Sequence, residues 1–434
     1  MRLTAAVLVA ALTSPAMLTA QPPAGSAERV ATFEAAWQTI RDAAVDDPRS
    51  EQEWSALHAE LGRRAAAARD DKELRLVLRD LLLRIGKSHF DLLPEELSRT
   101  ATYPDGPASQ AGDAGFSVTP IGGTALVWDV AEGGPADEAG IRRGWQLDSV
   151  DGQRLTLPGP ASRSAADAFR FWAYATGLLR GVPGSSVSLA FVANDGQPRT
   201  IALHRAPQPG QPVRFGHLPT FFARLENAVV PTPGGSAALL RFNVWMTALS
   251  PEIDSAMERA RDTSGCVIDL RQNPGGVLTM LMGVAGHFVD APVSLGTLKT
   301  RDTELKLVAN PRLVTASGDR VEPYRGKVAI LVDETSYSAS EIFAAGLQAI
   351  GRARVFGSRT PGGALPAMLR RLPNGDVLEY AIGDFVTASG DRVEGRGVIP
   401  DVPVPVTRAD LERGDDPVLA RALAWIGGRA SEGQ

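Results

Sequence analysis

The stretch Val328-Ala329-Ile330-Leu331-Val332-Asp333-Glu334-Thr335-Ser336-Tyr337-Ser338-Ala339-Ser340-Glu341-Ile342-Phe343 decides how the chain reads. Its first five residues form an unbroken apolar run, the pattern of a strand buried on both faces. A polar turn follows over residues 333–337, and from residue 339 the apolar spacing becomes helical. Ser338 therefore sits where a strand hands over to a helix. The first N–H groups of a helix have no partners within it, so an oxygen nucleophile and an oxyanion can both be served there. The same residues satisfy a plainer pattern. Ser338 and Glu341 have the S-x-x-E spacing of a capping box, which needs no chemistry at all. Ser336 and Ser340 compete with Ser338 for either role.

A second turn bears on this choice. Ile268-Asp269-Leu270-Arg271-Gln272-Asn273-Pro274-Gly275-Gly276 leaves an apolar strand through two glycines. Backbone without side chains lets N–H groups approach a ligand closely. Taken alone it is only a tight turn. Strands at 237–242, 266–270 and 328–332 alternate with helices at 251–260 and 339–350, which predicts an α/β domain over residues 235–408. A C-terminal helix and tail occupy 409–434.

Upstream, apolar residues recur at helical spacing as Phe33, Trp37 and Ile40, as Trp54, Leu57 and Leu61, and as Leu74, Leu78, Leu81 and Ile85. They predict an N-terminal helical domain over residues 27–98, ending in Gly86-Lys87-Ser88-His89-Phe90. Between the helices and the α/β region, residues 114–206 hold short strand-like runs around Gly134-Pro135-Ala136-Asp137-Glu138-Ala139-Gly140-Ile141 and Val150-Asp151-Gly152. This region resembles a PDZ domain. Trp145 stands where that family usually carries an acidic residue. The resemblance implies an extended peptide held on a strand edge with its carboxylate in a loop near Gly115, Phe116 and Val118; a mere spacer would read the same way. The proline-rich residues 207–234 are expected to be a linker.

Of 434 residues, 44% are hydrophobic and 22% charged, ordinary for a globular protein. A net charge of −5 leaves no basic excess for nucleic acid. The one cysteine, Cys266, permits no intramolecular disulfide and reads as a buried strand residue. No metal is expected, since there is no HExxH and no Cys/His cluster. Residues 1–20 read as a signal peptide, with Arg2 before a short apolar run and small residues at Ala16 and Ala20. The mature chain is expected outside the cytoplasm, periplasmic or extracellular, without a stable membrane anchor.

Together, "IDLRQNPGG", "SYSASEIFAAGL" and "VEGRGVIPDVPV" in this order, behind a PDZ-like region, resemble the C-terminal-processing (tail-specific) serine peptidases. That resemblance implies a crotonase-like catalytic domain, Ser338 as nucleophile, and an oxyanion hole from the N–H groups of Gly275 or Gly276 and of Ala339. It implies protein or peptide substrates and no cofactor. The best-known members carry a lysine base in a "T-x-G-K-G" stretch. Here that stretch is Thr360-Pro361-Gly362-Gly363-Ala364, and no lysine follows Lys327. A second branch, typified by the tricorn protease core, uses a Ser–His–Ser–Glu tetrad. Ser88-His89 and Glu394 match its pattern, so His89 is the expected base and His287 the reserve. His89 could equally cap or pack at a helix end, and Glu394 could be a solvated turn residue. With His89 and Ser338 on different domains, activity is expected to depend on domain closure. Two rivals remain at this level. One is a ligand binder on the same fold, as in interphotoreceptor retinoid-binding protein. The other is an esterase or amidase for small substrates.

Overall fold

The structure, a computed structural model, describes residues 25–44, 47–96, 111–156, 164–214, 216 and 220–428. The expected signal peptide lies outside the described residues.

Three helices open the fold: α1 (Ser26–Ala43), α2 (Glu51–Ala67) and α3 (Asp71–Ile85). Ser50 starts α2 with a capping box, its N–H on Glu53 at 2.7 Å and its Oγ under the Glu53 N–H at 3.3 Å. The Asp70 side chain caps α3 by accepting the Glu73 N–H at 2.9 Å. The apolar stripes predicted from the sequence meet in one core, with Phe33, Leu61, Leu74 and Leu81 fully buried. Each such side chain contributes roughly 1.5–3 kcal/mol. Gly86 ends α3 in the left-handed conformation, and the chain turns through Ser88 and His89 into strand β1 (Asp91–Leu93).

A five-stranded antiparallel sheet follows, in the order β2 (Phe116–Ile121), β3 (Thr124–Val130), β4 (Gln146–Val150), β5 (Ser186–Val192) and β6 (Pro198–His204); Gln153–Arg154 adds a short pairing to β4. Helix α4 (Ala165–Leu179) covers it beside the edge strand β2. Phe116, Val118, Trp145, Phe171 and Phe191 form this unit's own core.

The last part is built on a six-stranded sheet. Its order is β7 (Leu225–Thr232), β8 (Gly235–Phe242), β9 (Gly265–Asp269), β12 (Lys327–Val332), β13 (Arg354–Gly357) and β17 (Val402–Pro403), all parallel except β7. Helices α5 (Ser250–Ala260), α6 (Leu278–Ala285) and α7 (Ala339–Ala349) pack on one face. Helix α9 (Pro417–Ile426), reached through the short α8 (Arg408–Arg413), packs on the other. Covered on both faces, β9 is buried throughout, as is β12 beyond Lys327. Strands β10 (Val293–Thr300), β11 (Glu304–Ala309) and β16 (Gly383–Thr387) form a small antiparallel sheet at the side.

The structure corrects one expectation. Residues 207–234 are not a linker throughout, because β7 pairs with β8 along its whole length. Its Pro231 is tolerated because β7 is an edge strand.

The hairpin β14 (Ala367–Arg371) and β15 (Val377–Ala381) reaches back to the N-terminal helices. There β1 pairs with β15, Leu92 opposite Leu378, in a three-stranded sheet. Leu372 and Leu378 join the core of the helical bundle. This junction fixes the chain on either side of His89 relative to the central sheet.

Candidate active site

Ser338 follows β12 and caps α7 with φ 56° and ψ −117°. Four non-glycine residues among those described have positive φ, and three of them are His89, Gln272 and Ser338. A backbone of this kind is held only where its surroundings impose it. Around Ser338 they do. Asp333 Oδ1 accepts the Thr335 N–H and hydroxyl, at 2.9 and 2.6 Å. Ser336 Oγ donates to Leu270 O at 2.9 Å, and Ser340 Oγ to Asn273 O at 3.0 Å. Both rival serines are fully buried and hold the two turns together. The Glu341 carboxylate accepts the Ser338 N–H at 3.2 Å, as the capping spacing predicts.

Ser338 Oγ itself turns to His89, 3.0 Å from Nε2. Behind it His89 Nδ1 meets Ser88 Oγ at 2.9 Å. Ser88 Oγ donates to Glu394 Oε2 at 2.8 Å, and the Ser88 N–H to Oε1 at 3.0 Å. The Ala364 N–H adds a third donor to Glu394 at 3.0 Å. The polarity of this chain follows from valence. An ionised carboxylate only accepts, so Ser88 spends its one proton on Glu394. It can then only accept from His89, which puts the imidazole proton on Nδ1. Nε2 is left with its lone pair towards the Ser338 hydroxyl. Burial holds the imidazole low, at about 4, so the ring is neutral at neutral pH.

The glycine turn lies against the nucleophile. A Cβ on Gly275 would stand 2.6 Å from Ser338 Cβ, so only glycine fits. Arg271 pins the turn through Asp269 (2.7 Å) and Asp416 (2.7 Å). Despite complete burial, Arg271 and Arg241 hold the Asp269 carboxyl down at about 2. Ala339 is the first residue of α7, so its N–H is unused by the helix. The Gly275 N–H, by contrast, donates to Asn273 Oδ1 at 3.0 Å.

Among the described residues the other histidines have other partners. His287 pairs with Asp254 at 2.9 Å in a buried position, and His58 pairs with Glu34 at 2.9 Å on the helical bundle. Among the described residues no cluster of His, Cys, Asp and Glu could hold a metal ion.

Gly115, Phe116 and Val118 lie together at the start of β2. The Val118 side chain is buried in its own unit's core, and only its main chain faces the catalytic unit. Its carbonyl accepts Gln272 Nε2 at 3.2 Å, while Gln272 Oε1 takes the Trp172 Nε1–H at 3.0 Å. A cleft of about 510 Å³ opens between the two units, lined by Gly115, Phe116, Arg180, Arg224 and Pro274 among others. Sequence reasoning missed Gln272, Trp172 and Tyr337. Tyr337 stacks on His89 at 5.0 Å and on Phe169 at 4.1 Å. Its place beside Ser338 was the one available signal.

This is a mixed α/β fold presenting a serine with a histidine beside it, the arrangement of a serine hydrolase. Residues 236–404 match Peptidase family S41. Carboxyl-terminal-processing peptidase 3, chloroplastic, of Arabidopsis thaliana is 28% identical over 90% of this chain and 73% of its own length. The photosystem II D1 C-terminal processing protease superposes with TM-score 0.58 at 21% identity, over 91% of this chain and 97% of that one. Mature CPAF complexed with lactacystin gives TM-score 0.62 at 14% identity, over 93% and 98%. The chain is a serine-type peptidase similar to the C-terminal-processing enzymes.

Proposed function

We propose that Ser338 is the nucleophile of an endopeptidase that works through His89, Ser88 and Glu394, on a crotonase-like catalytic domain. The observation that carries this reading is the unbroken chain of hydrogen bonds from Glu394 through Ser88 and His89 to Ser338 Oγ, no link longer than 3.0 Å. As Ser338 Oγ bonds to the scissile carbonyl carbon, its proton passes to His89 Nε2. The imidazolium returns it to the leaving amine as the C–N bond breaks. Water, deprotonated by the same nitrogen, then releases the acyl group. Glu394 and Ser88 position the ring and stabilise its charged form. The Ala339 N–H takes the first share of the oxyanion. Gly275 joins it as a donor shared with Asn273.

The inserted unit, with its edge strand β2 beside α4, is read as PDZ-like and as the recruiter of substrate C-termini. The cleft that joins the Gly115–Phe116 loop to the glycine turn at Pro274 supports this. With residues 1–20 as a signal peptide, the enzyme acts outside the cytoplasm.

The test is labelling of the purified protein with a fluorophosphonate serine probe. Wild type is expected to label, and Ser338→Ala not to. An unlabelled wild type would favour the ligand-binding alternative. Turnover of esters without peptides would favour an esterase.

A further inference from the structure

The aromatic ring next to the nucleophile has no part in the relay, yet it is stacked on the relay's histidine. Tyr337 is sandwiched face to face, with His89 at 5.0 Å and 14° on one side and Phe169 at 4.1 Å and 14° on the other. Phe169 comes from α4 of the inserted unit. The Tyr337 hydroxyl lies on the Ser88 side of the ring. Ser88 Oγ has one proton and two lone pairs. Glu394 takes the proton and the His89 Nδ1–H takes one lone pair. That leaves one lone pair free for a donor such as the Tyr337 O–H. Burial and the nearby carboxylates of Glu341, Glu379 and Glu394 push the phenol well above its usual range, so it stays a donor.

Tyr337 also explains why the loop at 363 carries glycine. A Cβ there would stand 2.0 Å from Tyr337 Cε2 and 2.4 Å from its hydroxyl oxygen. A lysine on this loop and this tyrosine cannot share the space.

We propose that Tyr337 is a positioning residue of the peptidase: its ring, clamped by Phe169, sets the plane of the His89 imidazole, and its hydroxyl supports Ser88 through the lone pair that Glu394 and His89 leave. The inference rests on the Ser338–His89 reading above. It adds that the inserted unit supplies the outer face of the clamp.

Three variants test it in the full chain. Tyr337→Phe keeps the stack and loses the hydroxyl; kcat is expected to fall about tenfold with KM within twofold. Tyr337→Leu loses both, and kcat is expected to fall about a hundredfold. Gly363→Ala drives a methyl into the ring and is expected to act like Tyr337→Leu, with its circular dichroism unchanged. Nitrogen-15 spectra of His89 give a readout that needs no turnover. Wild type should show the Nδ1–H tautomer as a single narrow signal, and Tyr337→Leu the same tautomer with its resonance shifted and broadened as the ring loses its stacked partner. If Tyr337→Leu keeps the wild-type resonance and kcat, or raises KM alone, the proposal is wrong. If the wild type never labels with the fluorophosphonate, the peptidase reading fails, and the nitrogen-15 spectra still judge Tyr337.

Discussion

Two regions flank the central sheet and meet it in different ways. The N-terminal bundle is joined by backbone. Strand β1 completes a sheet with β15, Leu372 and Leu378 enter the bundle's core, and Arg75 binds the fully buried Asp376 carboxylate at 2.7 Å. The inserted unit makes side-chain contacts around a cleft instead: Gln272 to Val118 and Trp172, Phe169 on Tyr337, and Arg271 over the Trp128 ring at 5.0 Å. His89 is thus carried on a fixed mount, and the unit beside the cleft is held through side chains, including the buried cluster of Leu126, Trp128 and Leu411. His89 and Ser338 already touch, so closure between the bundle and the catalytic domain, expected from the sequence, is not required to assemble the pair.

The contrast can be broken in order of effect. Ser338→Ala or His89→Ala should cost on the order of 10⁴-fold or more in kcat, with the melting temperature nearly unchanged. Glu394→Gln should cost on the order of 10³-fold, because it removes the charge opposite the imidazolium and leaves the ring free to choose its tautomer. Both are read by single-turnover kinetics. Arg75→Ala attacks the fixed mount. It leaves Asp376 buried without its cation, and denaturant unfolding should report a loss of roughly 2–3 kcal/mol with a parallel loss of activity. Gln272→Asn attacks the side-chain contacts of the inserted unit. Asparagine tolerates the positive φ but is too short to reach Trp172 and Val118. We expect about a threefold change in KM for substrates with a free C-terminus, and no change in probe labelling.

A pH profile sharpens the same picture. The base must be neutral, and burial sets His89 at about 4. Activity should therefore hold from neutral pH to about pH 5 and fall as pH drops through 4. In the unfolded chain the imidazole takes its proton near 6.5. Stability from this residue is thus present above about 6.5 and is lost as pH falls towards 4. A kcat/KM profile and an unfolding series at matched pH would separate the two.

Much of this was legible in the sequence, for identifiable reasons. The apolar run at 328–332 and the heptad-like stripes of the bundle write their burial directly into residue type. Ordered motifs singled out Ser88, His89, Ser338 and Glu394, and these side chains meet although 249 residues separate His89 from Ser338. Strand β7 was not, because its prolines and exposed edge look like a linker. Gln272 was not either, since a non-glycine residue at positive φ leaves no mark in composition. Tyr337 stayed hidden because its partners, Phe169 and His89, come from two other parts of the chain.

The span of the relay also has a bearing on biosynthesis. Its first member is residue 88 and its last residue 394, 306 positions later. A ribosome must have made about nine-tenths of the chain before Glu394 exists to steady His89. Until then every shorter product has a nucleophile without a complete relay, or no nucleophile at all. On the proposed assignment, a product that stops short of residue 394 should act no faster than Glu394→Gln.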